Sequence, residues 1–195
     1  MFLETICILK GKIQNIDNHK RRMQETASYF RFIAPELPNI EGLLTDGLRD
    51  SKVKCRVCYH YDILSVEFEK YIPRSIKSLK LIKTFPDYSF KFSNRKVMDD
   101  LQKFRDGCDD VLILRNGLIT DTSYSNVVFR KDNEFFTPNF PLLNGTKRQK
   151  LLANKVIKEK EISVDTFKQY DRVWLINALL DIEDHISLPV EQIFE

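Results

Sequence analysis

The sequence predicts an α+β protein built in two parts, and three observations predict it. Residues 53–60 alternate apolar and polar side chains with the period of a half-buried strand, and with 63–71 and 78–84 they read as a three-stranded meander. Val97, Met98, Leu101 and Phe104 recur instead at helical spacing. Between these regimes Pro86 and Asp87 form a break, which divides the chain into a small domain over 1–85 and a larger one over 86–195.

The elements follow in order. Ile6, Ile8 and Leu9 run into the turn Lys10-Gly11-Lys12, and Ile13 resumes the strand, so the chain opens with a hairpin. Asp17 or Asn18 can cap a helix reaching Phe32, with Met23, Ala27 and Phe30 on one face and Pro35 and Pro38 ending it. A short helix carries Leu43, Leu44 and Leu48. Beyond the break, the helix with Met98 starts near Ser93 and closes at Gly107, a residue suited to a left-handed C-terminal position. Val111–Leu114 and Leu118–Ile119 flank Asn116-Gly117, a type I′ hairpin signal. Val127–Phe129 and Phe135–Phe136 form the next hairpin. A helix opens at Asn144-Gly145 with Leu151, Leu152, Val156 and Ile157, and a strand runs from Val173 to Leu180.

The balance of 31 basic against 28 acidic residues, net +3, does not suit a nucleic-acid or membrane surface. Charges interrupt the first residues, and no apolar run is long enough to span a bilayer, so a cytoplasmic protein is expected. Cys55 and Cys58 have the Cys-x-x-Cys spacing of a redox or metal site, yet on a strand residues three apart face opposite ways. No metal is expected there.

Four segments carry chemistry. Lys91 stands near Tyr88 and Phe90, neighbours that favour a desolvated, nucleophilic amine, although a surface lysine would read the same way. Asp121 is a lone carboxylate in the stretch Thr120-Asp121-Thr122-Ser123-Tyr124-Ser125-Asn126, where it could equally serve as a turn cap. A lysine and a remote carboxylate are the pair that pyridoxal phosphate requires, one for its aldehyde and one for its ring nitrogen. Asn144-Gly145-Thr146-Lys147-Arg148 opens a helix whose amides and basic residues would attract an anion. His19 and Arg22, three apart on a helix, could point at the same anion or belong to a solvated basic face with Lys20 and Arg21.

In this order the segments resemble the class IV aminotransferase family, the pyridoxal-phosphate proteins of fold type IV. That family includes D-amino-acid and branched-chain aminotransferases and 4-amino-4-deoxychorismate lyase. The similarity begins at Phe2-Leu3-Glu4-Thr5 and continues to Pro189-Val190. His19-Lys20-Arg21-Arg22-Met23 is similar to the family's His-x-x-Arg-Leu, and Lys91-Phe92-Ser93-Asn94-Arg95 to Lys-x-x-Asn-Arg. Thr120-Asp121 with Asn126 resembles Thr-Glu-x-x-x-x-Asn, Gly145-Thr146-Lys147-Arg148 resembles Gly-Ile-Thr-Arg, and Asn177-Ala178-Leu179 resembles the lyase branch. Asp121 replaces a glutamate and Lys147 a threonine, and the first domain is expected in a form shortened at its N-terminus.

The resemblance implies a small two-layer α/β first domain and a larger pseudo-barrel α/β second domain, with pyridoxal 5′-phosphate between them in a homodimer. It implies that Lys91 carries the cofactor and acts as acid and base, and that Asp121 faces the ring nitrogen. Arg22 and the segments at Asn126, Thr146, Lys147, Asn177 and Ala178 would complete cofactor binding. Arg56 and Tyr88 are the candidates for holding a small amino substrate's carboxylate. Asn94-Arg95 and Asn177-Ala178-Leu179 favour a lyase making 4-aminobenzoate and pyruvate for folate synthesis. An aminotransferase and a non-catalytic relative are the alternatives.

Overall fold

A computed structural model describes residues 1–195. The chain forms two compact units, Met1–Pro73 with Phe90–Asn94, and Arg74–Ser89 with Arg95–Glu195. This division differs from one drawn at residue 85 in two places: Arg74–Phe85 falls in the second unit, and Phe90–Asn94 returns to the first. No helix is long and apolar enough to cross a membrane.

The first unit contains β1 (Phe2–Leu9), β2 (Lys12–Ile13), α1 (Ile16–Tyr29), α2 (Ile40–Leu43), β3 (Lys52–Tyr59) and β4 (Ile63–Lys70). The strands form an antiparallel sheet in the order β2-β1-β3-β4. Glu4, Ile6 and Ile8 lie opposite Val57, Cys55 and Val53, so these residues share one face. Ile6, Ile8, Val53, Cys55 and Val57 are buried there with Ile40 and Leu44. Cys58, three residues after buried Cys55, is half-buried on the opposite face.

The boundaries of α1 have local causes. Its N-cap is Asn15, in the left-handed region at φ 58°, rather than Asp17 or Asn18. At its end Arg31 takes φ 59°, Phe32 N–H donates to Ala27 O at 2.9 Å, and Arg31 N–H donates to Ser28 O at 3.3 Å. This left-handed closure uses up the last carbonyls, so the helix stops before Pro35 is reached.

The second unit contains β5 (Leu79–Lys83), α3 (Lys96–Leu101), β6 (Asp110–Arg115), β7 (Leu118–Thr122), β8 (Asn126–Lys131) and β9 (Glu134–Pro138). It continues with α4 (Thr146–Ala153), β10 (Lys158–Lys160), β11 (Arg172–Ile176), β12 (Ser187–Pro189) and β13 (Ile193–Phe194). The strand path is β10-β9-β8-β7-β6-β5-β13, with β11 paired to β8 and β12. β5 is therefore not the third strand of a meander with β3 and β4. It lies parallel between β6 and β13, where Leu79 and Leu81 are buried. Side chains of β5, β6, β7, β8, β11, β12 and β13 meet in one core cluster, which requires the sheet to curl around it.

Two local readings change in this unit, and the hairpin turn between β6 and β7 is as expected. α3 begins at Lys96, not near Ser93, and buries Met98 and Leu101 while Val97 and Phe104 are exposed. The Asn116-Gly117 turn has φ 53° and 77°, as a type I′ hairpin needs. The last apolar strand ends at Ile176, because Asn177 and Leu180 exchange backbone hydrogen bonds at 3.1 Å and turn the chain.

Candidate functional site

In the first unit, β1 places a carboxylate inside the protein. Glu4 is fully buried beneath α1, on the face it shares with Ile6 and Ile8. Two residues one helical turn apart on α1 meet it. Arg22 donates from Nε to Oε1 at 2.9 Å and from Nη2 to Oε2 at 2.6 Å, and His19 Nδ1 lies 2.5 Å from Oε2. Burial pushes the Glu4 carboxyl up, but the Arg22 charge and the hydrogen bonds from His19 and Arg22 outweigh it and bring it to about 2. Burial holds His19 below the ordinary histidine range against the pull of Glu4, so the ring is neutral near pH 7 and donates from Nδ1. Behind them Tyr59 is pushed up to about 12 by burial and by Glu4.

Lys91 belongs to the same neighbourhood. Its carbonyl accepts Leu3 N–H at 2.9 Å, and Phe92 bridges to Phe2, so the segment adds to the edge of β1. Its positive charge is among the groups that disfavour protonation of His19. Phe90 packs on Tyr29 and Phe30 at ring separations of 4.5 and 5.0 Å. The structure therefore brings Lys91, His19 and Arg22 together, and the anion that His19 and Arg22 both contact is the protein's own Glu4. The sequence reading omitted Glu4 as a functional group. Its signal was there: a lone acid on the inward side of a strand otherwise inward-facing in Phe2, Ile6 and Ile8.

In the second unit, Asp121 lies within β7 rather than in the turn. Between Leu112–Thr122 and Leu114–Ile119 the register shifts, which inserts an extra residue into β7 and re-aims its side chains. Thr120 supports the bulge by donating from Oγ1 to Ile113 O at 2.9 Å. Thr122 closes the following turn, its Oγ1 accepting Ser125 N–H at 3.0 Å. Asp121 and Asn126 then face each other as the single pair joining β7 to β8.

The Asp121 carboxylate is buried. Oδ1 accepts Asn126 Nδ2 at 2.8 Å and Oδ2 accepts Leu143 N–H at 3.0 Å. Burial pushes the carboxyl up to about 6, against the pull of the Leu143 amide, the Asn126 carboxamide and the Arg148 charge. No cationic side chain is hydrogen-bonded to it. A buried carboxylate of this kind gains stability from a protonated nitrogen placed against it.

α4 begins beside this carboxylate with Thr146, which is buried, after the N-cap Gly145. The first amides of a helix cannot bond to preceding turns of that helix, and they favour an anion. The basic side chains nearby are otherwise engaged. Lys147 Nζ pairs with Asp181, and Arg148 binds Glu159 at 2.5 Å and Pro138 O at 2.9 Å. Their contribution to an anion is thus through the backbone. Asn177 donates to Ser125 Oγ at 3.1 Å and accepts Leu179 N–H at 2.9 Å, which holds the Asn177–Leu180 turn and half-buried Ala178 against the Asp121 turn.

The substrate candidates have partners of their own. Arg56 lies 3.9 Å from Glu67 on the face of β3 opposite the core. The Tyr88 hydroxyl accepts Arg95 Nη1 at 2.8 Å. Arg95 also donates to Ser123 O at 2.8 Å and stacks over Tyr124 at 4.3 Å, bracing the turn after Asp121.

Comparison with known proteins adds to this geometry. The sequence pattern of amino-transferase class IV matches residues 1–184. A Haemophilus influenzae protein described only as uncharacterized is 33% identical over 186 residues, 90% of this chain and 96% of the relative. The crystal structure of a candidate 4-amino-4-deoxychorismate lyase from Haemophilus somnus superposes with a TM-score of 0.81 at 31% identity, covering 91% of this chain and 95% of that one. The pyridoxal-phosphate-bound form of a hypothetical aminotransferase from Mycobacterium tuberculosis shares the fold, with a TM-score of 0.74 at 18% identity over 91% of this chain and 77% of that one.

Proposed function

The chain belongs to the amino-transferase class IV family, and from that premise we propose that it is a pyridoxal-phosphate enzyme converting 4-amino-4-deoxychorismate to 4-aminobenzoate and pyruvate. The observation that carries the reading is Asp121, a buried carboxylate of raised proton affinity that accepts two neutral hydrogen bonds beside a helix N-terminus. That donor set suits a group with a protonated ring nitrogen and a phosphate. The Mycobacterium tuberculosis neighbour was solved with this cofactor, and the Haemophilus somnus structure carries the lyase name.

Each residue then has a task. Asp121 would keep the ring nitrogen of the cofactor protonated. The backbone amides of Thr146, Lys147 and Ala178 would bind its phosphate, with Asn177 fixing the turn that carries Ala178. Glu4 holds the Nε–Nη2 edge of Arg22, which fixes the orientation of the guanidinium. The bound cofactor supplies an electron sink for the carbon that bears the substrate amine. Lys91 would hold the cofactor through its aldehyde and would serve as the base that moves the proton at that carbon. Neutral His19 and the Arg22–Glu4 pair keep the surroundings of Lys91 fixed in charge. Aromatisation of the product favours the expulsion of pyruvate, so the protein mainly supplies a positioned base. The working form is a homodimer, and Arg56 or Tyr88 holds a substrate carboxylate.

Incubating the purified protein and pyridoxal phosphate with 4-amino-4-deoxychorismate tests the reading. The expected outcome is equal amounts of 4-aminobenzoate and pyruvate. Amino-group exchange between amino acids and 2-oxo acids, with no 4-aminobenzoate, would replace the lyase with an aminotransferase.

A further inference from the structure

Asn126 has no donor left for a ligand. Its carboxamide carries two N–H bonds, and both are used: Nδ2 donates to Asp121 Oδ1 at 2.8 Å and to Leu143 O at 2.8 Å. Its Oδ1 faces the N-cap of α4, where a Cβ on Gly145 would lie only 2.0 Å from it. Exchanging the amide's oxygen and nitrogen would set an oxygen against both Asp121 and Leu143 O, so this orientation is the one the network admits. Leu143 closes the loop, its N–H donating to Asp121 Oδ2 at 3.0 Å. Asp121, Asn126, Leu143 and Gly145 therefore form a continuous set of contacts from the β7 bulge to the first turn of α4.

We propose that Asn126 is a positioning residue that locks the Asp121 carboxylate to the N-terminal turn of α4. Its purpose rests on the cofactor reading above: the groups assigned to the ring nitrogen and to the phosphate then keep one spacing. It also gives a reason for glycine at 145, since any side chain there displaces the Asn126 carboxamide and, through it, Asp121. The shorter Asp121 is held by Asn126 and Leu143 together, and Arg148 on α4 is the charged group that acts on it.

The test follows the carboxyl-carbon chemical shift of Asp121 against pH in the full chain without cofactor. The wild-type midpoint is expected at about 6. Asn126→Ala removes a donor to the ionised form and should raise the midpoint by on the order of one pH unit. Asn126→Asp should raise it further, because a second carboxylate then faces the first. In Gly145→Ala the nearest atoms met by the new Cβ are those of the Asn126 carboxamide, and it too should raise the midpoint. This last variant separates positioning from a purely local hydrogen bond, and it serves if Asn126→Ala does not fold. A Gly145→Ala protein with an intact fold and the wild-type midpoint would overturn the proposal. Pyridoxal-phosphate titration of the same proteins, read by absorbance, should show Asn126→Ala and Gly145→Ala binding roughly tenfold or more weakly. Wild-type protein that takes up no pyridoxal phosphate would remove the cofactor reading, while the carboxyl titration would still decide the role of Asn126.

Discussion

Glu4 and Asp121 are both buried carboxylates, and their surroundings send them in opposite directions. Glu4 meets a bidentate guanidinium and a neutral imidazole, so it stays ionised to about pH 2. For Asp121 burial outweighs an amide, a carboxamide and the more distant Arg148 charge, so it accepts a proton near pH 6. The signs of their pH effects follow by linkage. The folded Glu4 value lies below the unfolded one of ~4.3, so its stabilisation is complete above that pH and is lost as pH falls toward about 2. The folded Asp121 value lies above the unfolded one of ~3.9, so stability is lost as pH rises from there through about 6. Denaturant unfolding of the cofactor-free protein between pH 2 and 7 should show both slopes, with Glu4→Gln removing the acid one and Asp121→Asn the other. If neither variant changes its slope, these assignments fail. Arg22→Ala removes the guanidinium from the buried Glu4 and leaves the neutral His19 hydrogen bond without a compensating charge, and should cost about 3–5 kcal/mol in the same measurement. His19, Arg22, Lys91 and Asp121 were legible as residues because each sits in a recognisable segment. Their partners were not. Glu4 and Leu143 lie far from them along the chain, and pairing at such separation is set by tertiary packing.

At the scale of elements, strands were legible where period and turn chemistry agreed. The Asn116-Gly117 hairpin and the alternation of β3 are examples. What a strand pairs with was less legible. β5 follows β4 in the chain and has the same alternation, yet it takes a parallel place between β6 and β13. Periodicity reports which side chains face inward and carries no information on neighbours in the sheet. The β7 bulge that aims Asp121 is likewise a property of the register, invisible in Thr120-Asp121-Thr122 alone. Helical spacing misled at α3, where two turns bury Met98 and Leu101 and leave Val97 and Phe104 in solvent. Thermal or urea unfolding distinguishes the two assignments of core. Leu79→Ala, fully buried on β5, should lose about 2–5 kcal/mol. Val97→Ala should lie within about 0.5 kcal/mol of wild type; comparable losses at both sites would contradict the burial described for α3.

At the scale of the whole molecule, the change of period along the chain announced an α+β fold, and the order of five short segments pointed to the family to which the chain belongs. Each unit supplies one part of the proposed chemistry: Glu4, His19, Arg22 and Lys91 in the first, and Asp121, Asn126 and the start of α4 in the second. The claim that unites them is that Lys91 holds pyridoxal phosphate. Borohydride reduction of the protein after incubation with pyridoxal phosphate, followed by peptide mapping, tests it most directly. The expected result is a yellow protein that loses its colour on reduction and yields a single labelled peptide containing Lys91, with no label in Lys91→Ala. A protein that stays colourless with added pyridoxal phosphate, or a label on a different lysine, would contradict it.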